Sequence, residues 1–380
     1  MLRIGIIAGE ASGDLLGADL ICAIRKHNPD IEVIGIGGER LIEAGCQSLY
    51  PMERLSVMGI SEIFSRYFEL LNIRRRIKQY FMDNPPDIFI GVDAPDFNFP
   101  IEKVLHNSGI KTIHYVSPSI WAWREYRLKS IAQSIDLMLT LFPFEHPYYE
   151  KYGIPVRFVG HPLAKKINIK TDKSAARTRL HLPMDKNIIA IMPGSRSSEL
   201  NKLIEPFLHT ANWCSERTSH LHFVTNLVNE NAKNIFMEKI RKIAPEIQIS
   251  IFTGQSLDVL EAADVILLAS GTIALEAMLL KRPMVVAYKV SWLTYQIAKR
   301  LIRIPYVSLP NILAGRRIVP EYIQYDCRPE IMGPAILKWL NDKQAVADLV
   351  CDFTEIHQKI QPPPDQLIAK AVLDIINCNA

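Results

Sequence analysis

The stretch "IGVDAPDFNFP" (90–100) places two carboxylates and an amide directly after an apolar run. A carboxylate at the end of a strand can act as the general base that removes a proton from a hydroxyl group. Asp93 and Asp96 are the carboxylates that could do this, and Asn98 is a candidate substrate-binding residue beside them. Because Pro95 favours a turn, the same side chains could instead stabilise an Asx turn.

A second carboxylate follows the first apolar run of the chain, in "RIGIIAGEASGD" (3–14). Glu10 precedes Ser12, Gly13 and Asp14, after which the pattern becomes helical. Ser12 could cap that helix, Gly13 would let a ligand approach the backbone, and free N–H groups attract oxygen-rich groups. The alternative is a capped helix whose acidic first turn complements the helix dipole.

The stretch "MPGSRSSEL" (192–200) has the composition of a phosphate-binding turn. Gly194 allows close approach, Ser195 supplies a hydroxyl group and Arg196 is a forked donor. A strand-to-helix turn of this kind suits a diphosphate. A polar turn with a solvated arginine is the alternative interpretation.

A similar turn lies in "LLASGTIALEAM" (267–278), where Ser270, Gly271 and Thr272 stand between an apolar strand and a helix. Glu276 follows about one turn into that helix, near enough to accept hydrogen bonds from ribose hydroxyl groups. The alternative interpretation is a tight turn followed by a surface glutamate, which would have the same sequence pattern.

Aromatic residues are concentrated in "HYVSPSIWAWREYR" (114–127). Trp121 and Trp123 follow the turn at Ser117, and their rings could stack on sugars or cover acyl chains, while Arg124 could meet a phosphate. Packing of a helix against the sheet would explain each ring equally well.

A basic amphipathic helix is predicted over residues 58–81. Such a helix can lie in the headgroup plane of an anionic membrane, or it can be a core helix with a solvated basic end. The residues predicted to contact the membrane are Phe64, Phe68, Arg74, Arg75 and Arg76.

Short apolar runs alternate with helical patterns along the chain, which predicts the α/β class and parallel sheets. The alternation lapses over residues 164–187 and then restarts. We therefore predict two doubly wound Rossmann-like domains facing across a cleft, over 1–165 and 188–360, with a linker over 166–187. Residues 361–380 would form a C-terminal helix that crosses back to the first domain or is exchanged with a neighbour. Ligands of such sheets bind outside the carboxyl ends of the strands, where all the candidate turns lie.

Bulk composition narrows the class of protein. The formal net charge of +4 over 380 residues is too small to indicate a nucleic-acid partner. The six cysteines are scattered, which predicts neither zinc nor disulfides and favours a reducing cytoplasm. The first apolar run is too short for a secretory signal, and the most apolar stretch, 262–280, contains Asp264 and Glu276. Any membrane contact is therefore expected to be peripheral.

Taken in order, the motifs resemble those of the lipid-A-disaccharide synthase family. They are "AGEASGDLLGA", "MGISEI", "VDAPDFN", "HYVSPSIWAWR", "PFE", "FVGHPL", "PGSRSSE", "SGTIALE" and "LPNILAGRRIVPE". The resemblance implies the two-domain fold of B-type glycosyltransferases, in an enzyme of Gram-negative bacteria on the cytoplasmic face of the inner membrane. It implies an inverting transfer from UDP-2,3-diacylglucosamine to 2,3-diacylglucosamine 1-phosphate, which gives the β-1,6-linked disaccharide 1-phosphate and UDP.

The resemblance also implies roles for residues. Asp93 is the first choice for the base, with Glu10 as second candidate or orienting partner. The turns at 194–196 and 270–272 would hold the diphosphate, and Glu276 the ribose. Residues Asn311, Glu321 and Gln324 would line the donor side of the cleft.

The expected partners are the acylated glucosamines, UDP and an anionic membrane surface, and a homodimer stays open. Because no D-x-D sequence occurs, we expect neither a metal ion nor another cofactor. The alternatives are an enzyme similar to UDP-N-acetylglucosamine 2-epimerase, and a non-catalytic lipid-binding protein.

Overall fold

The computed structural model describes residues 1–55, 60–123, 125–301, 304–363 and 365–377. The chain divides into two compact units. We call Met1–Pro162 with Ile360–Ala380 the first domain and Leu163–Lys359 the second domain.

The first domain contains a parallel sheet with the strand order β3-β2-β1-β4-β5-β6-β7 in its described residues. These strands are β1 (Leu2–Ala8), β2 (Ile31–Ile36), β3 (Cys46–Ser48), β4 (Ile88–Val92), β5 (Lys111–Tyr115), β6 (Leu137–Thr140) and β7 (Val156–Phe158). The helices between them are α1 (Ala11–His27), α2 (Glu39–Glu43), α3 (Ile60–Asp83), α4 (Pro95–Asn107), α5 (Ile120–Trp123), α6 (Leu128–Ile131) and α7 (His146–Glu150). Short 3-10 helices occupy Met52–Arg54, Glu125–Arg127 and Pro143–Glu145.

The second domain contains a parallel sheet with the order β10-β9-β8-β11-β12-β13 over the residues that the structure describes. The strands are β8 (Asn187–Met192), β9 (Leu221–Leu227), β10 (Ile249–Thr253), β11 (Val265–Ala269), β12 (Met284–Tyr288) and β13 (Glu321–Ile323). The helices from the domain boundary onward are α8 (Pro162–Lys166), α9 (Lys173–Arg179), α10 (Ser197–Ser215), α11 (Glu230–Ile243), α12 (Ser256–Ala262), α13 (Thr272–Leu279), α14 (Trp292–Leu301), α15 (Leu309–Ala314), α16 (Pro329–Asn341) and α17 (Lys343–Lys359). A 3-10 helix occupies Gln324–Asp326, and α18 (Asp365–Asn377) follows in the first domain.

The apolar run at the start of the chain forms a strand that is covered on both faces. Ile4 and Ile6 belong to the buried cluster that includes residues of α1, whereas Ile7 packs in the cluster of α3 and α4. A strand buried on both sides needs no polar alternation, because neither face meets water. The predicted fold class, two doubly wound α/β domains with parallel sheets, is confirmed.

Residues 166–187, predicted to be a linker, instead contain α9 and belong to the second domain. Asp172 caps α9 by accepting a hydrogen bond from the Ala175 N–H at 3.0 Å. The buried Arg177 donates to the Ala262 carbonyl at 3.0 Å and to the Asp264 carboxylate at 2.6 Å. Because charged side chains anchor this short helix, the segment lacks the apolar period by which helices are recognised.

The last helix packs against α1, with Ala369 and Val372 buried in the core of the first domain. The chain returns to this domain beside Gly160, whose φ of +75° is left-handed. A Cβ atom on Gly160 would lie 2.2 Å from the Cα atom of Pro362, so only glycine fits there. The His161 N–H then donates to the Ile360 carbonyl at 2.9 Å.

Among the helices that the structure describes, none combines the length and hydrophobicity needed to span a membrane.

Candidate functional site

The two candidate carboxylates of the first domain follow neighbouring strands. Ala8, at the end of β1, pairs with Val92 at the end of β4, so Glu10 and Asp93 leave the sheet side by side. Gly9 makes this close approach possible, because a Cβ atom there would lie 2.8 Å from the Cβ atom of Ala94. The two turns therefore form one continuous part of the strand-end edge.

The turn at Asp93 has a strained backbone. Asp93 and Ala94 have φ values of 51° and 44°, a left-handed conformation that costs a side-chain-bearing residue about 1–2 kcal/mol. The Asp93 N–H donates to the Tyr115 carbonyl at 2.8 Å, which fixes the turn to β5. Strain of this kind clusters at functional sites, where surrounding contacts keep it in place.

The helix after Glu10 begins earlier than the sequence predicts, at Ala11, so Glu10 rather than Ser12 is its N-cap residue. Glu10 and Ser12 are exposed at the edge. Gly13 is buried, and a Cβ atom there would lie 3.4 Å from the Val92 carbonyl oxygen. Its small size therefore allows α1 to pack closely on β4.

Asp14, predicted to lie at the ligand side, bonds the backbone of a neighbouring helix. Its buried carboxylate accepts hydrogen bonds from the N–H groups of Gly38, Arg40 and Leu41 at 2.7, 3.0 and 3.2 Å. These N–H groups belong to the start of α2, so Asp14 caps that helix from outside. Capping by a distant residue leaves no local sequence signal.

Asp96 and Asn98 lie on opposite sides of α4. The Asp96 carboxylate is exposed and accepts a hydrogen bond from Arg127 at 2.7 Å. Asn98, predicted to lie beside the substrate, is 0% exposed, and its amide faces the protein interior. In an α-helix, positions two apart point in different directions, which separates the two side chains.

Beside Asp93, the edge continues into a group organised by Glu145, a residue to which the sequence analysis gave no role. The buried Glu145 carboxyl accepts a hydrogen bond from the Phe142 N–H at 3.1 Å and is hydrogen-bonded by the side chains of Ser117 and Trp121. The Ser117 hydroxyl also meets the Tyr149 hydroxyl at 2.7 Å. Burial raises the pKa of Glu145 to about 7 and outweighs these hydrogen bonds, which lower it.

Four rings form a row along the same edge, from Trp121 through Phe144 and Phe142 to His161. Successive centroids lie 5.1, 5.7 and 5.3 Å apart, within the range of aromatic contacts. The Trp123 side chain and Arg124, predicted beside Trp121, lie outside the part of the chain that the structure describes.

In the second domain, the two turns predicted to bind phosphate meet in one cavity of about 300 Å³. They follow β8 and β11, which are neighbours in the sheet. The Ser270 hydroxyl donates to the Val307 carbonyl at 3.0 Å, which holds its turn. The predicted residues in the cavity lining are Gly194, Ser195, Arg196, Ser270, Gly271 and Thr272.

The carboxylate of Glu199 is hydrogen-bonded to the Gly194–Arg196 turn that lines this cavity. The Oε2 atom of Glu199 accepts long hydrogen bonds from the N–H groups of Ser195 and Arg196, at 3.3 and 3.5 Å. The exposed Arg196 guanidinium contacts the Glu199 Oε1 atom at 3.5 Å. The turn therefore already binds an anionic group with the donors that would bind a phosphate.

Glu276 lies one turn along α13, outside the lining of that cavity. It is partly exposed, and burial raises the pKa of its carboxyl, an effect that Lys166 opposes.

Asn311, Glu321 and Gln324, predicted to line the donor side, form hydrogen bonds to the backbone, and Asn311 and Glu321 also bond each other. Asn311 is fully buried and uses its whole amide: it donates to Val319 and Glu321 and accepts from the N–H groups of Ile318 and Val319. This set exhausts the bonding capacity of the side chain. These contacts show that Asn311 holds the loop that follows α15, and its place on the donor side stays a prediction.

Glu321 accepts from the N–H groups of Val307 and Ser308 at 3.0 and 2.9 Å. Gln324 accepts from the Val290 N–H at 2.8 Å and donates to the Val290 carbonyl at 3.2 Å.

The predicted membrane helix, α3, is partly a core helix. Ile73, Ile77 and Phe81 are buried against the sheet. Among its arginines, Arg74 donates to the Asp96 carbonyl at 3.1 Å.

Of the remaining residues predicted to contact the membrane, Phe68 is 78% exposed, and Arg75 and Arg76 are also exposed. The side chain of Phe64 lies outside the described residues.

Comparison with known proteins identifies the family. The family model described as lipid-A-disaccharide synthetase matches residues 4–372. A curated lipid-A-disaccharide synthase of Vibrio vulnificus (strain YJ016) is 46% identical over 376 residues, which cover 99% of this chain and 98% of the relative. The chain belongs to the lipid-A-disaccharide synthetase family. It is a glycosyltransferase of lipid A biosynthesis, and the resemblance carried by its motifs is confirmed.

Solved structures share the two-domain fold. The S. aureus MnaA–UDP complex has a TM-score of 0.64 at 14% identity, and the alignment covers 99% of this chain and 96% of that one. A UDP-GlcNAc 2-epimerase of Neisseria meningitidis bound to UDP-GlcNAc has a TM-score of 0.59 at 13% identity and coverage of 99% and 100%. At such identities the likeness shows the fold alone, so the epimerase alternative gains nothing from it.

The raised pKa of Glu145 predicts a stability effect in this member of the lipid-A-disaccharide synthetase family. Because the folded pKa of about 7 exceeds the ordinary value of 4.5, the unfolded chain releases this proton first as pH rises. Glu145 should therefore lower the free energy of unfolding progressively between about pH 4.5 and 7, by on the order of 3 kcal/mol. Glu145→Gln keeps the shape and removes the titration. Urea unfolding should show the stability deficit of Glu145→Gln shrinking as the pH rises from 5 to 8.

The control is Glu205→Gln, an exposed carboxylate paired with Lys239. A constant difference between wild type and Glu145→Gln across this pH range would contradict the raised pKa.

Proposed function

We propose that the protein transfers a 2,3-diacylglucosaminyl group from UDP to the 6-hydroxyl group of 2,3-diacylglucosamine 1-phosphate. The product is the β-1,6-linked disaccharide 1-phosphate, and UDP leaves with inversion at the anomeric carbon. The observation that carries this proposal is the strained Asp93 turn, which presents a carboxylate beside Glu10 at a strand-end edge. Family membership supports the disaccharide product, since that is what the family's name describes.

The second-domain cavity is the proposed UDP site. Both turns in its lining offer backbone N–H groups at the start of a helix, and Arg196 adds a guanidinium group. Such donors stabilise a diphosphate and the charge that it gains on leaving. The solved MnaA and epimerase structures bind UDP and UDP-GlcNAc in the same overall fold, which supports a nucleotide-sugar donor here.

The proposed reaction is a single displacement. Asp93 accepts the proton of the acceptor's 6-hydroxyl group, while the oxygen of that hydroxyl group forms the new bond to the anomeric carbon. The bond from that carbon to the β-phosphate oxygen breaks, and its electron pair leaves with UDP. Because the N–H groups and Arg196 neutralise this charge, the proposed reaction requires neither a metal ion nor another cofactor.

The aromatic row is the proposed surface for the acceptor. Trp121 and Phe144 lie at the same strand-end edge as Asp93, and partly exposed rings can pack on sugar faces or acyl chains. Loss of Phe144 should raise the KM for the acceptor without changing the KM for the UDP-sugar, which Phe144→Ala tests in the assay described below.

Arg196 should contribute a charged hydrogen bond to UDP. Arg196→Ala is expected to weaken UDP binding by about 1.5–3 kcal/mol, the range for hydrogen bonds to charged groups. Isothermal titration calorimetry with UDP measures this loss. Arg217→Ala is the control, because Arg217 lies at the far end of α10, where it contacts Glu216 and Trp213.

Glu199→Gln extends this experiment. Since Glu199 and a diphosphate need the same N–H donors, removal of the Glu199 charge should leave UDP affinity equal or higher.

Unchanged UDP affinity in Arg196→Ala would contradict the proposed UDP site and place the nucleotide elsewhere.

Replacement of Asp93 should lower kcat and leave the affinity for UDP unchanged. Asp93→Asn keeps the size of the side chain and removes the proton acceptor, so kcat should fall by about 10²–10⁴-fold. The dissociation constant of UDP should stay nearly the same, because UDP binds the second domain. A transfer assay with both acylated glucosamines, together with calorimetry, separates the two effects.

Glu10→Gln is the matched variant and should be milder if Glu10 only orients Asp93 or the acceptor. An active Asp93→Asn enzyme beside an inactive Glu10→Gln enzyme would reverse the two roles.

We also propose peripheral binding to the cytoplasmic face of the inner membrane through the exposed side of α3. Phe68, Arg75 and Arg76 project from the helix, while its buried side holds it to the sheet. Phe68→Ser with Arg75→Gln and Arg76→Gln should release the protein from vesicles that contain anionic lipid. The control removes two exposed charges from the second domain, in Arg241→Gln with Lys242→Gln. Equal co-sedimentation of both variants with vesicles would contradict the proposal.

A further inference from the structure

A buried amide lies directly beneath the Asp93 turn. The Asn98 side chain is 0% exposed, and its Nδ2 atom is 2.8 Å from the carbonyl oxygen of Asp93. The same nitrogen lies 3.4 Å from the carbonyl oxygens of Ile7 and Val92. One amide group therefore joins the ends of β1 and β4 to the turn between β4 and α4.

The backbone of α4 fixes where this amide lies. The N–H groups of Phe97 and Asn98 donate to the Ala94 carbonyl at 2.9 and 3.0 Å, so the helix begins on the strained turn itself. The two left-handed residues, Asp93 and Ala94, are thus held from below by Asn98 and from the side by the first turn of α4.

A second buried contact holds the next turn of α4 to the sheet. Glu102 follows Asn98 by one helical turn, and its carboxylate is 2.7 Å from the His114 Nδ1 atom on β5, with both side chains fully buried. The His114 ring stacks on Phe99, with centroids 4.2 Å apart.

Gly91 makes room for this arrangement. A Cβ atom on Gly91 would lie 2.0 Å from the Glu102 Oε1 atom and 3.0 Å from the Cβ atom of Asn98. The glycine inside β4 therefore lets both polar side chains lie flat against the strand that ends at Asp93.

Only the nitrogen of the Asn98 amide is hydrogen-bonded. Within the described residues its Oδ1 atom has no hydrogen-bond partner, although its Nδ2 atom has three acceptors nearby. A buried acceptor without a partner destabilises a protein, so stability alone does not account for an amide here. What the amide supplies is donation to the backbone of the turn.

We propose that Asn98 is a positioning residue for the transfer reaction, because its amide holds the Asp93 turn in the conformation that presents the carboxylate. This proposal rests on the proposed function, in which Asp93 is the base. Asn98 acts through Asp93 and does not touch the substrate.

A double-mutant cycle between Asn98 and Asp93 tests the proposal. Asn98→Ala should lower kcat by about 10–100-fold, since small displacements of a catalytic group cost rates of this order. The KM for the UDP-sugar should stay within about two-fold, because that substrate binds the other domain. In an Asp93→Asn background, Asn98→Ala should cost almost nothing further, since the base it positions is already absent.

Two variants separate positioning from folding. Ile101→Val trims another fully buried residue of α4 and should lower the melting temperature while leaving kcat unchanged. Asn98→Leu keeps nearly the same shape without a donor, and it replaces Asn98→Ala in the cycle if the alanine variant does not fold at the assay temperature.

The outcomes distinguish this inference from the proposed function. If Asn98→Ala lowers kcat equally in the wild-type and Asp93→Asn backgrounds, or if Ile101→Val loses as much activity, the positioning role is overturned and the proposed function stands. If Asp93→Asn retains wild-type kcat, Asp93 is not the base, and both the base assignment and the positioning role are overturned.

Discussion

The carboxyl ends of parallel strands lie at the same edge of a sheet, and this constraint determines where both candidate carboxylates and both phosphate-suited turns lie. In the first domain it brings the turns after β1 and β4 together, so that Glu10 and Asp93 leave the sheet side by side. In the second domain it brings the turns after β8 and β11 into one cavity. Residues that are far apart in the sequence thus become neighbours without any special contact between their side chains.

The strand ends also differ in how they are held. The Asp93 turn has two left-handed residues, and the buried Asn98 amide donates to its backbone. The buried Glu102–His114 pair links the next turn of α4 to β5. The left-handed backbone and the buried polar groups cost stability. In the Gly194–Arg196 turn, by contrast, the N–H groups of Ser195 and Arg196 make long hydrogen bonds to the Glu199 carboxylate, at 3.3 and 3.5 Å. A rigid turn suits a group that must be aimed at a reacting atom, and a loosely held turn suits one that exchanges ligands.

The sequence predicted the fold class and both phosphate-suited turns, because apolar runs followed by Gly/Ser turns are local patterns. It did not reveal the structural contacts of polar residues that bond other segments of the chain. Asp14 caps α2 across 24 or more positions, and Asn311 bonds a loop that comes after it. Glu145 was missed because its environment, not its neighbours in sequence, makes it unusual. A polar residue beside a turn has the same appearance in sequence whether it faces solvent or the interior. For Asn98, the packing of α4 against the sheet determines that the side chain faces the interior.

The central claim is a division of labour, with UDP bound at the strand-end edge of the second domain and proton transfer at that of the first. Hydrogen–deuterium exchange of the whole protein with and without UDP tests it most directly, because the nucleotide would bond the backbone N–H groups themselves. We expect slower exchange over residues 193–199 and 270–275, and unchanged exchange over 8–14 and 92–98. Protection confined to the first-domain segments, with none at 193–199, would contradict it.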